Sequence, residues 1–184
     1  MTTSFIKQKG YVLLYAIGDL EGVQEMHGID NEMHSGGASL ISHSGLRGHS
    51  ELVEVRTLDS VLLEYFTGST ISLLKIDTEG FESHVIRGAL ATLRSGQVEL
   101  IIMEVSPNFG EVSYLRSLNN LLGVEYKWFV LEERGKVRRM TKLRPISLQA
   151  SLRLCEQWNL VLVRNDIYSA YCENGNSIFV NAGK

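Results

Sequence analysis

An apolar strand that leads directly into acidic residues and a glycine is the most chemically suggestive part of this sequence. Asp77, Glu79 and Gly80 follow the strand, and the pattern of a helix begins immediately after them. In an α/β fold, this strand-to-helix edge is where ligand sites are built. Carboxylates held there could bind a divalent cation, accept a proton from a hydroxyl group, or hold a ligand amine.

A second apolar strand, which ends in Glu104, adds another carboxylate to this hypothesis. Side chains alternate along a strand, so Lys75 and Asp77 point to the same face. If the two strands are neighbours, Glu104 lies near Asp77. A purely structural interpretation is equally open. Asp77 would then cap the helix, Glu79 and Glu82 would favour the dipole in its first turn, and Lys75 would pair with a carboxylate because an unpaired buried charge is costly.

The composition is that of an ordinary globular domain. A chain of 184 residues that is 44% hydrophobic and 21% charged fits one domain, residues 1–184, with its own core. Its net charge of -3 gives no general attraction to nucleic acid or to an anionic membrane. The apolar runs are strand-sized and too short to span a bilayer. The chain has 2 cysteines, too few for a disulfide framework, and no signal-peptide pattern is present. We therefore expect a cytoplasmic protein. Whether it forms a homo-oligomer stays open.

Strand and helix patterns alternate along the chain, which predicts an α/β fold with a doubly wound sheet. We expect strands at 11–17, 52–55, 71–76, 98–105 and 160–164, the third of them buried on both faces. We expect helices at 57–65, from Asp77 or Thr78 to about Arg94, at 112–122 and at 147–158. The remaining predictions are a long loop at 27–50, an antiparallel hairpin of 126–133 with 136–141, and an uncertain tail at 166–184 with one more strand at 177–180.

Two further groups of residues invite a functional interpretation that we set aside. Four histidines in the 27–50 segment lack the i, i+4 spacing of a helical zinc pair, so we assign no metal ligand among them and interpret the segment as a polar loop. Basic residues between 136 and 144 could contact an acidic substrate. A solvated face of the hairpin explains them better, because the whole chain is negatively charged.

Five segments, in the expected order, resemble the FkbM-type methyltransferase family. The run Lys75–Glu82 matches its "K-I-D-x-E-G-x-E" signature, which is the most specific of the likenesses. The others are the "A-x-G-D-x-x-G" turn at Ala16–Gly22, the Gly/Ser stretch at Gly36–Leu40, the "V-x-T-L-D" run at Val55–Asp59, and the apolar strand ending in Glu at Ile101–Glu104.

The resemblance implies a Rossmann-like methyltransferase sheet with a C-terminal antiparallel hairpin. It also implies that S-adenosylmethionine donates a methyl group to a hydroxyl of a sugar, glycan or small-molecule acceptor. By carry-over, Asp77, Glu79 and Glu104 are the catalytic candidates. Asp77 would be the first candidate for the base, acting alone or through a divalent metal.

The same resemblance places the cofactor contacts at the other end of the family's site. Asp19, with Ala16 and Ile17 before it, would lie on the adenine side of S-adenosylmethionine.

One part of the family's pattern is missing from this sequence. Residues 1–10 contain neither the glycine-rich turn "D-x-G-A-N-x-G" nor a following acidic residue for the cofactor's ribose. We therefore expect an N-terminally incomplete domain without the first two βα units, and weak cofactor binding by this chain alone. The alternative is a non-catalytic remnant that serves as a binding or assembly module.

Overall fold

The computed structural model describes residues 12–29, 38–42, 48–105, 114–133, 140–153 and 158–173. The structure contains both strands and helices and is therefore of the α/β class, as predicted. In chain order the elements are β1 (Ala16–Ile17), β2 (Gly22–Ile29), β3 (His49–Arg56), α1 (Leu58–Tyr65), β4 (Leu74–Ile76), α2 (Glu82–Arg87), α3 (Leu90–Arg94), β5 (Leu100–Val105), α4 (Tyr114–Leu122), β6 (Tyr126–Glu133), β7 (Met140–Pro145), α5 (Leu148–Ser151), β8 (Trp158–Arg164) and α6 (Asn165–Glu173).

The main core is built on a five-stranded sheet with the order β4-β5-β8-β6-β7. β4 and β5 run parallel, and the other neighbours run antiparallel. The apolar runs of β5 and β8 place these strands in the middle of the sheet, where burial stabilises them most. The core joins the sheet to α2, α3 and α4 through almost completely buried side chains, among them Met103, Leu160, Leu162, Val85, Leu93 and Leu118.

A second, three-stranded sheet has the order β1-β3-β2. β1 runs parallel to β3, and β2 runs antiparallel to it with Gln24 opposite Val53. Val55 in this sheet is completely buried, whereas Val23 and Leu52 are largely exposed. This sheet is therefore held more by hydrogen bonds between its strands than by burial of apolar surface.

The prediction of a loop over 27–50 is wrong at both ends. Residues up to Ile29 belong to β2, β3 begins at His49, and an isolated bridge joins His27 to Ser39. The strand β2 was missed because its sequence, with two glycines and several polar residues, buries little and shows no clear apolar alternation. The predicted strand at 52–55 is correspondingly longer. His34 and His43 lie outside the described residues.

The first predicted strand is shorter than expected. Regular pairing covers Ala16–Ile17, while Val12 and Leu14 are exposed and unpaired in the described part of the chain. Tyr11 lies outside the described residues. By contrast, the helix after Thr57 is confirmed, because the Thr57 side chain accepts a hydrogen bond from the backbone N–H of Ser60 and caps α1.

The strand predicted at 71–76 is an edge strand and is not buried on both faces. Regular pairing covers Leu74–Ile76, with a separate bridge from Ile71 to Val98. In the described part of the chain β4 is an edge strand, and its Lys75 side chain is exposed. The strand predicted at 98–105 is β5, whose regular pairing covers Leu100–Val105.

The helix predicted to end near Arg94 is two helices, α2 and α3, that meet at Gly88. The apolar stripe that predicted it is correct, since Phe81, Val85, Ala89 and Leu93 are all buried. Its capping was predicted wrongly. The N-cap position belongs to Phe81, without a side-chain hydrogen bond, so neither Asp77 nor Thr78 caps the helix.

The C-terminal elements are displaced from several predicted positions. β6 covers the predicted 126–133, and its antiparallel partner β7 covers Met140–Pro145, which extends beyond the predicted end at 141, while 136–139 lie outside the described residues. Of the helix predicted at 147–158, α5 covers Leu148–Ser151, residues 154–157 lie outside the described part of the chain, and Trp158 instead begins β8 and pairs with Val105. Residues of the expected tail form α6, while 112–113 and 177–180 lie outside the described residues.

Candidate functional site

Three predicted carboxylates meet where β4 and β5 end. The two strands pair in parallel with Ile76 opposite Met103, so the residues that follow these positions, Asp77 and Glu104, are brought to one edge. A carboxylate oxygen from each of Asp77, Glu79 and Glu104 lies within 4.8 Å of the others. The expectation that Asp77 and Glu104 lie near each other is therefore confirmed. We call these three residues the carboxylate cluster.

The turn that carries Glu79 has an uncommon backbone conformation. Glu79 has a φ of 51°, in the left-handed region, and Gly80 follows with a φ of 96°. Glycine adopts such angles easily, but a side chain there costs about 1–2 kcal/mol. A residue is held in this conformation only when its surroundings determine it strongly.

Two buried side chains hold this turn from inside. Glu82 Oε1 accepts hydrogen bonds from the backbone N–H and the hydroxyl of Thr78 and from the backbone N–H of Gly80, each at 3.1 Å. Ser39, which is 2% exposed, donates its hydroxyl to the carbonyl oxygen of Glu79 at 3.0 Å. The strained conformation of Glu79 is thus fixed by contacts on both sides of it.

The local charges give the members of the cluster different electrostatic environments. Burial raises the pKa of the Glu79 carboxyl, and repulsion from Glu104, Asp77 and Glu82 raises it further. Asp77 instead pairs with Lys75, whose exposed ammonium donates to it. The predicted pairing of Lys75 with a carboxylate is confirmed. The cluster therefore combines a carboxylate that is neutralised by a lysine with one that has a raised proton affinity.

Asp19 takes part in a different network. It lies in the turn after β1, where His84 Nδ1 donates to one carboxylate oxygen at 2.9 Å and Arg87 Nε donates to the other at 2.8 Å. Burial alone would raise its pKa, but the hydrogen bonds from His84 and Arg87 hold the pKa of Asp19 below its ordinary value. Ala16 and Ile17 precede it as the two half-buried residues of β1.

The helix α2 connects the two groups of predicted site residues. Its first residue, Glu82, holds the turn of the carboxylate cluster, and its last residue, Arg87, holds Asp19. The His84 ring also stacks on Phe81, with ring centroids 4.1 Å apart. The roles predicted for all six residues stay predictions, but the structure groups three of them at the cluster and three at the Asp19 turn.

Two glycines beside these networks are in tight contact with the chain itself. A Cβ at Gly18 would lie 2.8 Å from Val55 Cγ1, and one at Gly88 would lie 1.9 Å from the carbonyl oxygen of Gly18. The space that these glycines leave free is therefore occupied by the protein. Neither provides an open glycine cradle for a ligand.

Sequence reasoning had not assigned a role to Ser39, Glu82, His84 or Arg87 in these contacts. The i, i+3 spacing of His84 and Arg87 on one helix was a usable signal, because such residues lie on the same face. The contacts of Ser39 and Asp19 bring together residues about 40 and 65 positions apart in the sequence, and no local pattern predicts them.

Comparison with known proteins identifies a family whose model covers most of the chain. The model of the Methyltransferase FkbM domain matches residues 6–136, about seven tenths of the chain. The matched range contains both the carboxylate cluster and the Asp19 turn. No curated protein and no solved structure matches the chain significantly. In the part of the chain that the structure describes, no helix is both long enough and apolar enough to cross a membrane.

Proposed function

This chain belongs to the FkbM methyltransferase family, and from this premise we propose that it methylates a hydroxyl oxygen of a sugar, glycan or other small-molecule acceptor. The carboxylate cluster carries the proposal. A hydroxyl that attacks a methyl group must lose its proton, and a carboxylate positioned beside it can accept that proton. We assign Asp77 as the first base, with Glu79 and Glu104 completing the site.

The electrostatics of the cluster support this assignment. A proton that reaches the cluster relieves repulsion among three close carboxylates, so its transfer there is favoured. Glu79 has the raised pKa and is suited to hold the proton once it has left the acceptor. Lys75 keeps Asp77 in place and limits the repulsion within the cluster.

A divalent cation is a second possible partner for the same three carboxylates. Carboxylate oxygens are the ligands that magnesium and calcium prefer. A chelator distinguishes the two arrangements, because activity that survives EDTA treatment requires a base and no metal.

S-adenosylmethionine is the methyl donor that membership of the family implies. The residues that the structure describes do not form a complete cradle for it, since the space beside Gly18 and Gly88 is filled by the chain itself. A Rossmann-like cofactor site in which Asp19, Ala16 and Ile17 contact the adenine side stays a prediction. The cytoplasmic location and the single domain over 1–184 stay predictions as well.

The proposal is tested by methyl transfer from radiolabelled S-adenosylmethionine to a panel of hydroxyl-bearing sugars, glycans and small molecules. We expect Asp77→Asn to lower turnover at least ~100-fold, the lower end for loss of a general base. Asp166→Asn, an exposed carboxylate on α6, is the matched control and should leave turnover unchanged. Unchanged turnover in Asp77→Asn would remove Asp77 from the chemistry.

A second function is supported by the incomplete cradle. A chain that binds no cofactor would act as a non-catalytic binding or assembly module. Calorimetric titration of this 184-residue chain with S-adenosylmethionine separates the two. Binding in the micromolar range supports the enzyme, whereas no binding together with no transfer to any acceptor supports the module.

A further inference from the structure

A groove of about 620 Å³ lies between the α2–α3 pair and α4. This volume is within the range of small-molecule sites. The floor is apolar, with Ile86 and Leu118 buried and Leu90 and Leu121 half-buried. None of the residues of the carboxylate cluster lines it, and Asp19 does not line it either. The groove is therefore separate from the proposed catalytic site.

The charged residues that line this groove all carry the same sign. Among the residues that the structure describes, Arg87, Arg94 and Arg116 line it and no acidic residue does. Within the described ranges, neither Arg94 nor Arg116 forms an ion pair, and both are exposed. Arg87 is already paired with Asp19, so the exposed Arg94 and Arg116 supply most of the positive potential that attracts anions to this groove, on a chain with a net charge of -3.

We propose that this groove binds a small amphipathic phosphate, with the phosphate among the arginines and an apolar body on the leucine and isoleucine floor. Guanidinium groups bind phosphate through paired N–H donors, which makes arginine the preferred residue for this group. Ser83 and Ser117, which also line the groove, can add hydroxyl donors. The apolar floor gives the body of the ligand a surface on which to be buried.

The shape of the groove favours a free small molecule over larger occupants. A membrane surface is flat, whereas these arginines surround a concave site. A docked protein partner needs about 800 Å² of surface on each side. The helices that form the walls have 6, 5 and 9 residues, which gives short walls for a partner helix.

The test measures calorimetric binding of octyl phosphate to the full chain, with inorganic phosphate, octanol, and vesicles of phosphatidylcholine with phosphatidic acid as separate arms. We expect one saturable site for octyl phosphate, and binding at least ~10-fold weaker for inorganic phosphate and for octanol. The double variant Arg94→Gln/Arg116→Gln should weaken octyl phosphate binding at least ~10-fold. Arg153→Gln, which removes the same charge outside the groove, should not change it. Arg87 is left intact because it holds Asp19.

Several outcomes would overturn the proposal. They are the absence of saturable octyl phosphate binding, equally tight binding of inorganic phosphate, binding to vesicles alone, and full binding by the double variant with an unchanged circular dichroism spectrum. Sedimentation of the unmodified chain and of the double variant tests the remaining candidate occupant, a second copy of the chain. Self-association that the double variant abolishes would assign the groove to a second copy of the chain instead.

Discussion

At the scale of single residues, Glu79 combines two unfavourable features at one position. Its backbone adopts a conformation that suits glycine, and its carboxyl lies among three other carboxylates that raise its pKa. Such conflicts between local preference and structure are concentrated at functional sites, because selection retains them only where they serve activity. The hydrogen bonds of the buried Glu82 and Ser39 side chains keep Glu79 in this conformation.

Replacement of Glu79 by glutamine should therefore stabilise the protein near neutral pH. A carboxyl whose pKa is raised on folding favours the folded state below its unfolded-state pKa, and this contribution is lost as the pH rises through the folded-state pKa. We expect Glu79→Gln to raise the free energy of unfolding by about 0.5 kcal/mol near pH 7, with no gain near pH 4. Urea denaturation at both pH values measures this.

Two observations decide whether repulsion within the cluster is the cause. Glu54→Gln, which changes an exposed carboxylate on β3, the central strand of the other sheet, is the control and should show no comparable gain. A destabilised Glu79→Gln at neutral pH would mean that the carboxylate makes a favourable contact that outweighs the repulsion.

Asp19 should show the opposite dependence on pH. Its pKa is lowered on folding, so its contribution is present above the unfolded-state pKa and is lost as the pH falls through the folded-state pKa. Asp19→Asn removes the charge that His84 and Arg87 contact and should cost about 1–2 kcal/mol near pH 7. Chemical denaturation should show this difference shrinking as the pH falls towards about 3.

The matched control for this prediction is Asp166→Asn. Asp166 also pairs with an arginine, Arg164, but the Asp166 side chain is largely exposed and its partner lies only two residues away, and the bond from Arg164 to the distant carbonyl oxygen of Gly96 does not involve Asp166. We expect no measurable loss of stability from it. A pH-independent loss in Asp19→Asn would attribute the role of Asp19 to packing instead of charge.

At the scale of elements, α2 connects the two groups of predicted site residues. It begins at the turn of the carboxylate cluster and ends against the Asp19 turn, so a shift of this short helix moves both groups at once. Gly88, directly after it, allows the carbonyl oxygen of Gly18 to approach. Asp59 completes the junction, since its carboxylate accepts the backbone N–H groups of Ala91 and Thr92 at the start of α3.

Gly88→Ala tests this junction because we expect it to lower the free energy of unfolding, whereas a change from glycine to alanine in a helix usually raises it. Gly88 has an ordinary helical φ of -75°, where alanine would stabilise a helix end if space allowed. Its Cβ, however, would lie 1.9 Å from a backbone oxygen. We expect a loss of about 2–3 kcal/mol in thermal or urea unfolding. Gly96→Ala, where φ is 69° and nothing is close, should lose only about 1 kcal/mol from strain. Stabilisation by Gly88→Ala would show that the approach of Gly18 is not required.

Elements that bury a continuous apolar stripe could be predicted from the sequence. Features that depend on pairing or packing between residues far apart in the sequence could not. Phe81, Val85, Ala89 and Leu93 revealed a helical stripe, but the contact of Gly88, where the helix breaks, is with Gly18, 70 residues earlier. The strand β2 was not predicted because its stability comes from hydrogen bonds to β3 and not from burial of apolar side chains. The carboxylate cluster was predictable because two apolar strands each lead directly to a carboxylate.

At the scale of the whole molecule, the two sheets differ in what holds them together. The five-stranded sheet and the helices packed on it contain most of the fully buried apolar residues described, whereas Val23 and Leu52 of the three-stranded sheet face solvent. The contacts between the two parts include polar ones, namely the Asp19 network and the hydrogen bond from Ser39 to Glu79, and the packing of Ile17 of β1 against the main core. Stability should therefore be distributed unevenly.

Native-state hydrogen exchange should resolve this difference. Amides of β5 and β8 lie in the main core and should exchange only by global unfolding, whereas those of β2 and β3 should open at a free energy lower by at least ~2 kcal/mol. Asp19→Asn should accelerate exchange in β2 and β3 more than in β5 and β8, because it releases the three-stranded sheet from α2. Equal protection of both sheets in the unmodified chain would show that they unfold as one unit. In that case the polar contacts around α2 couple the proposed cofactor side to the carboxylate cluster far more strongly than their number suggests.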